Sequence, residues 1–68
     1  MYVMFDPAQP HIVLDTSETI EDIAAALAAR PESGLAVCVN RDGLTGNLDA
    51  HEQRELDARL HALRRVAG

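Results

Sequence analysis

Cysteine, tryptophan and lysine are scarce or missing in this chain of 68 residues. Cys38 is the single cysteine, so no disulfide can form within the chain, and no cluster of cysteine and histidine indicates a structural zinc site. Tyr2 and Phe5 are the only aromatic residues. No apolar run approaches the roughly 18 residues that a membrane-spanning helix needs. The sequence therefore predicts one small domain without covalent or metal cross-links.

The first residues also lack the positively charged and apolar segments of a secretory signal peptide. A single thiol within an apolar run is typical of a reducing compartment, so we expect a cytoplasmic protein. The net charge of −5 makes nucleic acid an improbable partner, because contacts with phosphates supply most non-specific affinity. All basic side chains are arginines, and with abundant alanine this composition is typical of GC-rich bacterial or phage genomes.

Apolar residues are plentiful, at 47% of the chain, although many of them are alanines. A domain of this size buries only about 60% of the surface that its unfolded chain exposes, so its core is thin. Small domains with thin cores are often stabilised by a disulfide, a metal or a partner subunit. Since neither of the first two is indicated, association with another chain is the expected support.

Four segments have the composition of β-strands. The central one is Leu35–Val39, an unbroken apolar run between a glycine and a turn, which indicates a strand covered on both faces. Earlier in the chain, Tyr2–Asp6 and His11–Asp15 flank a loop with two prolines and are predicted to pair as an antiparallel hairpin. The segment Asn40–Gly43 predicts a type I turn with a glycine bulge, followed by a weak return strand over Leu44–Asn47.

The stretch after the second strand has the pattern of an amphipathic helix. This helix is predicted to begin at Asp15-Thr16-Ser17, with Thr16 or Ser17 as its N-cap, and to end before Pro31. The apolar residues at three- and four-residue spacing are Ile20, Ile23, Ala24, Leu27 and Ala28. Three acidic residues favour the positive end of the helix dipole and could also meet a basic partner: Glu18, Glu21 and Asp22.

A second amphipathic helix is predicted from Asp49 to about Val66. Asp49 and Glu52 have the spacing of a capping box, in which each residue satisfies a backbone N–H of the other. The apolar stripe of this helix is Leu56, Leu60, Leu63 and Ala67. Glu55 and Arg59 lie four residues apart, in the order that favours an ion pair on the helix surface.

Neither histidine nor cysteine indicates a catalytic centre. His51 and Glu52 match the first half of the zinc-protease pattern His-Glu-x-x-His, but the second histidine is missing, so both are expected to be solvated helix residues. Cys38 lies in an apolar strand, where a free cysteine behaves as a small hydrophobe more often than as a nucleophile. We therefore expect no enzymatic activity, no metal and no cofactor.

The order strand-strand-helix-strand-strand-helix predicts an α+β domain with a small mixed sheet of three to four strands and two helices. The crossover through the first helix should be right-handed and should make the second and third strands parallel. The two helices could cover one face each, but helices of small α+β domains are usually gathered on one face, so the other apolar face is predicted to bind a partner. The predicted partner-binding residues are Tyr2, Met4, Val13, Cys38, Glu18, Glu21 and Asp22.

A non-enzymatic interaction module is the function that this pattern favours. Such a module would be a regulatory, antitoxin-like or accessory subunit that acts through protein–protein contacts. Its partner would be a second copy in a symmetric homodimer, the commonest arrangement, or a different protein. A monomer with a partly exposed sheet is the plainer alternative, because isolated apolar residues are normal on protein surfaces.

From Ile12 to Leu56 the order of elements resembles one half of a CBS-domain pair. The likeness lies in the segments Asp15-Thr16-Ser17, Ser33-Gly34-Leu35-Ala36-Val37 and Asp42-Gly43-Leu44-Thr45-Gly46. This resemblance implies a sensor of adenine nucleotides, with Asn40, Asp42 and Gly43 near the ligand. The hairpin, the first helix and Leu35–Asn40 also resemble the first two-thirds of the β-grasp fold of small sulfur carriers.

Overall fold

The computed structural model of this chain describes residues 1–32 and 34–67, with side chains up to residue 65. Six elements follow one another: β1 (Tyr2–Phe5), β2 (Val13–Ser17), α1 (Ile20–Ala28), β3 (Ala36–Arg41), β4 (Leu44–Gly46) and α2 (Ala50–Ala67). The four strands form one sheet in the order β2-β1-β3-β4. The predicted α+β fold, with four strands and two helices, is confirmed.

Every pair of neighbouring strands in this sheet is antiparallel. Strands β2 and β3 do run in the same direction, as the crossover through α1 requires, but β1 lies between them and pairs with both. The sheet is therefore antiparallel and not mixed. The prediction of a mixed sheet was wrong because nothing in the sequence indicates that β3 pairs with β1 and not with β2.

Strand β2 begins two residues later than the sequence predicts, at Val13 instead of His11. The residues before it form turns, in which Gln9 N donates to Asp6 O at 2.8 Å and Ile12 N donates to Gln9 O at 3.0 Å. Within β2, Leu14 is the extra residue of a β-bulge opposite β1 and packs against the core. Through the bulge, β2 contributes the side chain of Leu14 to the core.

Helix α1 begins after Thr19, not at Thr16 or Ser17 as the sequence predicts. Thr19 has an extended backbone, and its Oγ1 accepts a hydrogen bond from Asp22 N at 3.1 Å. Thr16 and Ser17 are paired with β1 instead, as the end of β2. Three hydroxyl residues within four positions could each cap a helix. Because two of them pair with β1, the N-cap is Thr19.

Replacing Thr19 with alanine is expected to lower the free energy of unfolding by about 1 kcal/mol, because the N–H of Asp22 loses its acceptor. Thr19→Ser keeps a hydroxyl and should stay close to wild type. Urea denaturation followed by circular dichroism measures both. A larger loss of unfolding free energy for Ser17→Ala than for Thr19→Ala would show that the N-cap is Ser17, as the sequence predicts, and not Thr19.

The turn between β3 and β4 consists of Asp42 and Gly43. Arg41 pairs with Leu44 across it, and the two turn residues have positive φ angles of 54° and 77°. Positive φ at both central residues is typical of a type I′ turn, for which Asp-Gly is a preferred sequence. The predicted type I turn with a bulge is therefore wrong, whereas the predicted return strand is confirmed over Leu44–Gly46.

Both helices pack on the same face of the sheet, as predicted. The core on this face consists of Met4, Ile20, Ile23, Ala24, Leu27, Leu56 and Leu60. Leu63, which the spacing adds to the α2 stripe, is 38% exposed, and the side chain of Ala67 lies outside the described residues. Neither described helix covers the other face, so β3 is covered on one face and not on both. Neither is long and apolar enough to cross a bilayer.

Candidate functional site

The side of the sheet that faces away from the helices forms a shallow groove, which we call the open face. Its volume is about 500 Å³, and its lining residues include Met1, Val3, Phe5, Val13, Cys38 and Asn40. Successive side chains of a strand point to opposite faces, so Val3 and Phe5 lie here while Met4 lies in the core. Val3 and Cys38 are direct partners on the two central strands and mark the middle of the open face.

The open face is neutral as well as apolar. Among the described residues that line it there is no acid, arginine or histidine, although 25% of the chain consists of charged residues. Its one formal charge is the α-ammonium of Met1, which donates to the backbone oxygen of Asn40 at 2.9 Å. Glu21 and Asp22 are exposed on the helix side of the molecule. The molecule thus has one neutral side and one acidic side.

A substantial apolar area remains in contact with water on the open face. Val13 is 55% exposed and Met1 is 46% exposed, whereas Val3, Phe5 and Cys38 are half-buried by their neighbours. The total accessible surface is 4742 Å² for a mass of 7.4 kDa. A compact monomer of that mass exposes about 4,200 Å². The chain therefore exposes about 500 Å² more than a compact monomer of its mass.

The edges of the sheet are less suited to association than its open face. At one edge, β4 is only three residues long and ends at Gly46. At the other edge, β2 contains the bulge and the exposed Asp15. Short edge strands, bulges and charged residues are the features by which natural sheets avoid edge-to-edge pairing. The open face is therefore the stronger candidate for an interaction surface.

The four predicted partner-binding residues of the sheet lie on two different faces. Val13 and Cys38 lie on the open face, as the prediction requires. Met4 is 0% exposed in the core, so its predicted contact with a partner is wrong, and Tyr2 points to the same helix side. Tyr2 and Met4 lie on one face of β1, and Val3 and Phe5 lie on the other. Both pairs are hydrophobic, so the sequence does not indicate which pair the helices cover.

The predicted acidic residues of α1 also lie away from the open face. Glu18, Glu21 and Asp22 are exposed, and Glu21 lies 3.9 Å from Arg59 of α2. Arg59 Nε also lies 3.5 Å from Glu55, which agrees with the predicted pair, although this nitrogen makes no hydrogen bond. Contact between this acidic cluster and a basic partner stays a prediction.

A second cluster surrounds Glu52, which the sequence analysis treated as solvated but which is only 5% exposed. Its Oε2 accepts hydrogen bonds from the Tyr2 hydroxyl at 2.7 Å and from Nη2 of Arg41. Its Oε1 accepts from Asp49 N at 3.2 Å, while Glu52 N donates to Asp49 Oδ1 at 2.7 Å. The predicted capping box is confirmed, and the same carboxylate also joins β1 and β3 to the start of α2.

These donors lower the pKa of Glu52 to about 2, with Arg41 as the largest cause and Tyr2 as the second. The carboxylate in turn raises the pKa of Tyr2, chiefly through their hydrogen bond. A carboxylate with this pKa is a poor general base at neutral pH, since an effective base titrates near the working pH. The Glu52 cluster is therefore a structural clamp. Its partners are 11 and 50 residues away, so only the capping box was visible locally.

The residues that the CBS resemblance places near a nucleotide do not converge on one site. Asn40 lies on the open face, where its amide donates to Thr45 Oγ1 at 3.5 Å, and Asp42 and Gly43 form the β3–β4 turn. A helix N-terminus can bind phosphate, but the carboxylates of Asp49 and Glu52 already occupy the start of α2. Two negative groups at that position would repel a phosphate.

Comparison with protein-family models, curated proteins and solved structures gives no match to this chain. Within residues 1–32 and 34–67, no three side chains of histidine, cysteine, aspartate or glutamate are grouped as metal ligands. The open face is thus the feature of the described residues that most needs a functional explanation.

Proposed function

We propose that this chain is a small cytoplasmic protein–protein interaction module that acts as a regulatory, antitoxin-like or accessory subunit through its open face. The observation that carries this proposal is a largely apolar side of the sheet, with no charged side chain among the described residues that line it, whereas the two helices lie on the other side. An exposed apolar patch with polar residues at its rim is typical of an interaction site. An apolar centre free of charged groups is also typical of the core of a protein interface.

A non-enzymatic role agrees with the surroundings of the two most reactive groups. Among the described side chains that line the open face with Cys38 there is no histidine, acid or arginine, and the α-ammonium of Met1 is hydrogen-bonded to the backbone oxygen of Asn40. A thiol needs a neighbouring base or cation to become an effective nucleophile. Both oxygens of Glu52 are already hydrogen-bonded within the chain. These surroundings support binding and not catalysis.

A charge placed in the middle of the open face tests this proposal. Val3→Glu should abolish association, because a carboxylate would be buried against apolar side chains. Ala58→Glu adds the same charge at an exposed position of α2 and serves as the matched control. Each tagged chain would be purified from the cells that naturally produce it and weighed by native mass spectrometry.

Measured at a protein concentration of about 200 µM, the wild-type chain and Ala58→Glu should each carry a companion, either a second copy or another protein. Val3→Glu should lose that companion at least about tenfold, while its circular dichroism spectrum stays that of the folded chain. A wild-type chain that is recovered alone, or a companion that Val3→Glu retains, would show that the open face is not the binding surface.

A further inference from the structure

We infer that the occupant of the open face is a second copy of this chain, packed sheet against sheet about a two-fold axis that passes beside the Val3–Cys38 pair. This inference rests on the proposed function and names the partner. Three properties of the described residues carry it: the distribution of charge, the size of the open face and the position of its centre.

The charge distribution favours two copies joined through their open faces. With a net charge of −5, two copies of this chain repel each other unless their acidic sides are far apart. Sheet-to-sheet packing places the acidic start of α1, with Glu18, Glu21 and Asp22, on the outside of both copies. An apolar surface without charged side chains also complements itself, whereas it offers no charged side chain with which to select a charged partner.

The size of the open face predicts a weak dimer. Four strands about 4.8 Å apart, with about five residues each at 3.3 Å per residue, cover roughly 300 Å² in projection. A specific interface buries at least about 1,000 Å² in total, so each copy would have to contribute about 500 Å², and the open face lies at this lower limit. We expect a dissociation constant on the order of 1–100 µM.

The centre of the sheet determines which residues meet across the axis. Strands β1 and β3 are the two inner strands, and Val3 of the first is paired with Cys38 of the second. Two aligned sheets pack about 10 Å apart, with their inner side chains interdigitating. A two-fold axis in the plane between the sheets therefore brings the two Cys38 side chains within about 10 Å of each other.

Sedimentation equilibrium of the recombinant chain tests the dimer directly. Over a range from about 1 to 200 µM, the wild-type mass should rise from 7.4 kDa towards twice that value. Ala58→Glu should follow the same curve. Val3→Glu should stay at the monomer mass at every concentration, because dimerisation would bury two carboxylates opposite each other.

Cys38 reports the geometry of the dimer. A bismaleimide with a spacer of about 10 Å should link two wild-type chains through Cys38, and dilution below the dissociation constant should abolish the link. The matched control is the double variant Cys38→Ser, Ala58→Cys, whose thiols would lie on the outer helices. This variant should remain unlinked although it still dimerises.

Each outcome separates the inference from the proposed function. A recombinant chain that stays monomeric at about 200 µM, while the chain from its own cells carries a different protein, overturns the second copy and leaves the interaction module intact. A dimer that forms equally well with Val3→Glu, or that links through the Ala58→Cys thiols, overturns sheet-to-sheet packing. A chain that is found alone in both experiments overturns both proposals.

Discussion

Replacing Met4 with alanine is expected to lower the free energy of unfolding by about 3 kcal/mol. Met4 is 0% exposed and lies in the cluster where β1 meets both helices, so alanine would leave a cavity between them. A domain of this size has a total stability of only about 3–5 kcal/mol. The variant should therefore be largely unfolded at room temperature, as measured by circular dichroism and urea denaturation.

Val3→Ala is the matched control for this experiment. Val3 is the neighbour of Met4 in β1, but it lies on the open face and is only half-buried. In dilute solution, where the chain is monomeric, its truncation should cost less than about 1 kcal/mol. Similar losses for Met4→Ala and Val3→Ala would mean that the two faces of β1 are not divided into core and open face.

Replacing Glu52 with glutamine is expected to cost about 2 kcal/mol at neutral pH. Glutamine has the shape of glutamate, but the Arg41 guanidinium and the Tyr2 hydroxyl lose a charged acceptor. Glu55→Gln removes an equal charge from a half-exposed ion pair one turn further along α2 and should cost less than about 0.5 kcal/mol. Chemical denaturation of the three proteins measures the difference.

The effect of Glu52→Gln should also depend on pH in a defined direction. The pKa of Glu52 is about 2 in the folded chain, compared with a reference value of 4.5. Stability from a lowered carboxyl pKa is fully present above the unfolded pKa and is lost as pH falls through the folded pKa. The gap between wild type and Glu52→Gln should therefore be constant above about pH 6 and should close between about pH 4.5 and 2. A gap that does not change with pH would show that the charge of Glu52 contributes nothing.

Local sequence patterns predicted the secondary structure well where a pattern is compatible with only one conformation. The Asp49–Glu52 capping box, the spacing of Ile20 to Leu27 and the Glu55–Arg59 pair each depend on residues within one or two turns of helix. The N-cap of α1 was wrong because several hydroxyl residues competed for it. The β3–β4 turn was wrong because Asp-Gly suits more than one turn type.

The contacts of Glu52 with Tyr2 and Arg41 could not be predicted from local sequence patterns. The sequence contains the capping box, but it contains no pattern that links Glu52 to Tyr2 or to Arg41. Those contacts exist because β1 occupies the middle of the sheet and brings Tyr2 under the start of α2. The long-range half of the cluster is therefore a product of strand order, for which the sequence wrongly predicted a mixed sheet.

The sequence by itself determined that β1 is apolar on both sides and indicated only two helices to cover the sheet. Only the tertiary structure decided that both helices lie on one side and which side that is, because Val3 and Phe5 are as hydrophobic as Tyr2 and Met4. The packing of α1 and α2 around Met4, together with the hydrogen bond from Tyr2 to Glu52, selected the covered side. The hydrophobic effect is non-directional and does not distinguish two apolar faces, whereas a hydrogen bond requires a particular geometry and so fixes which face lies towards the helices.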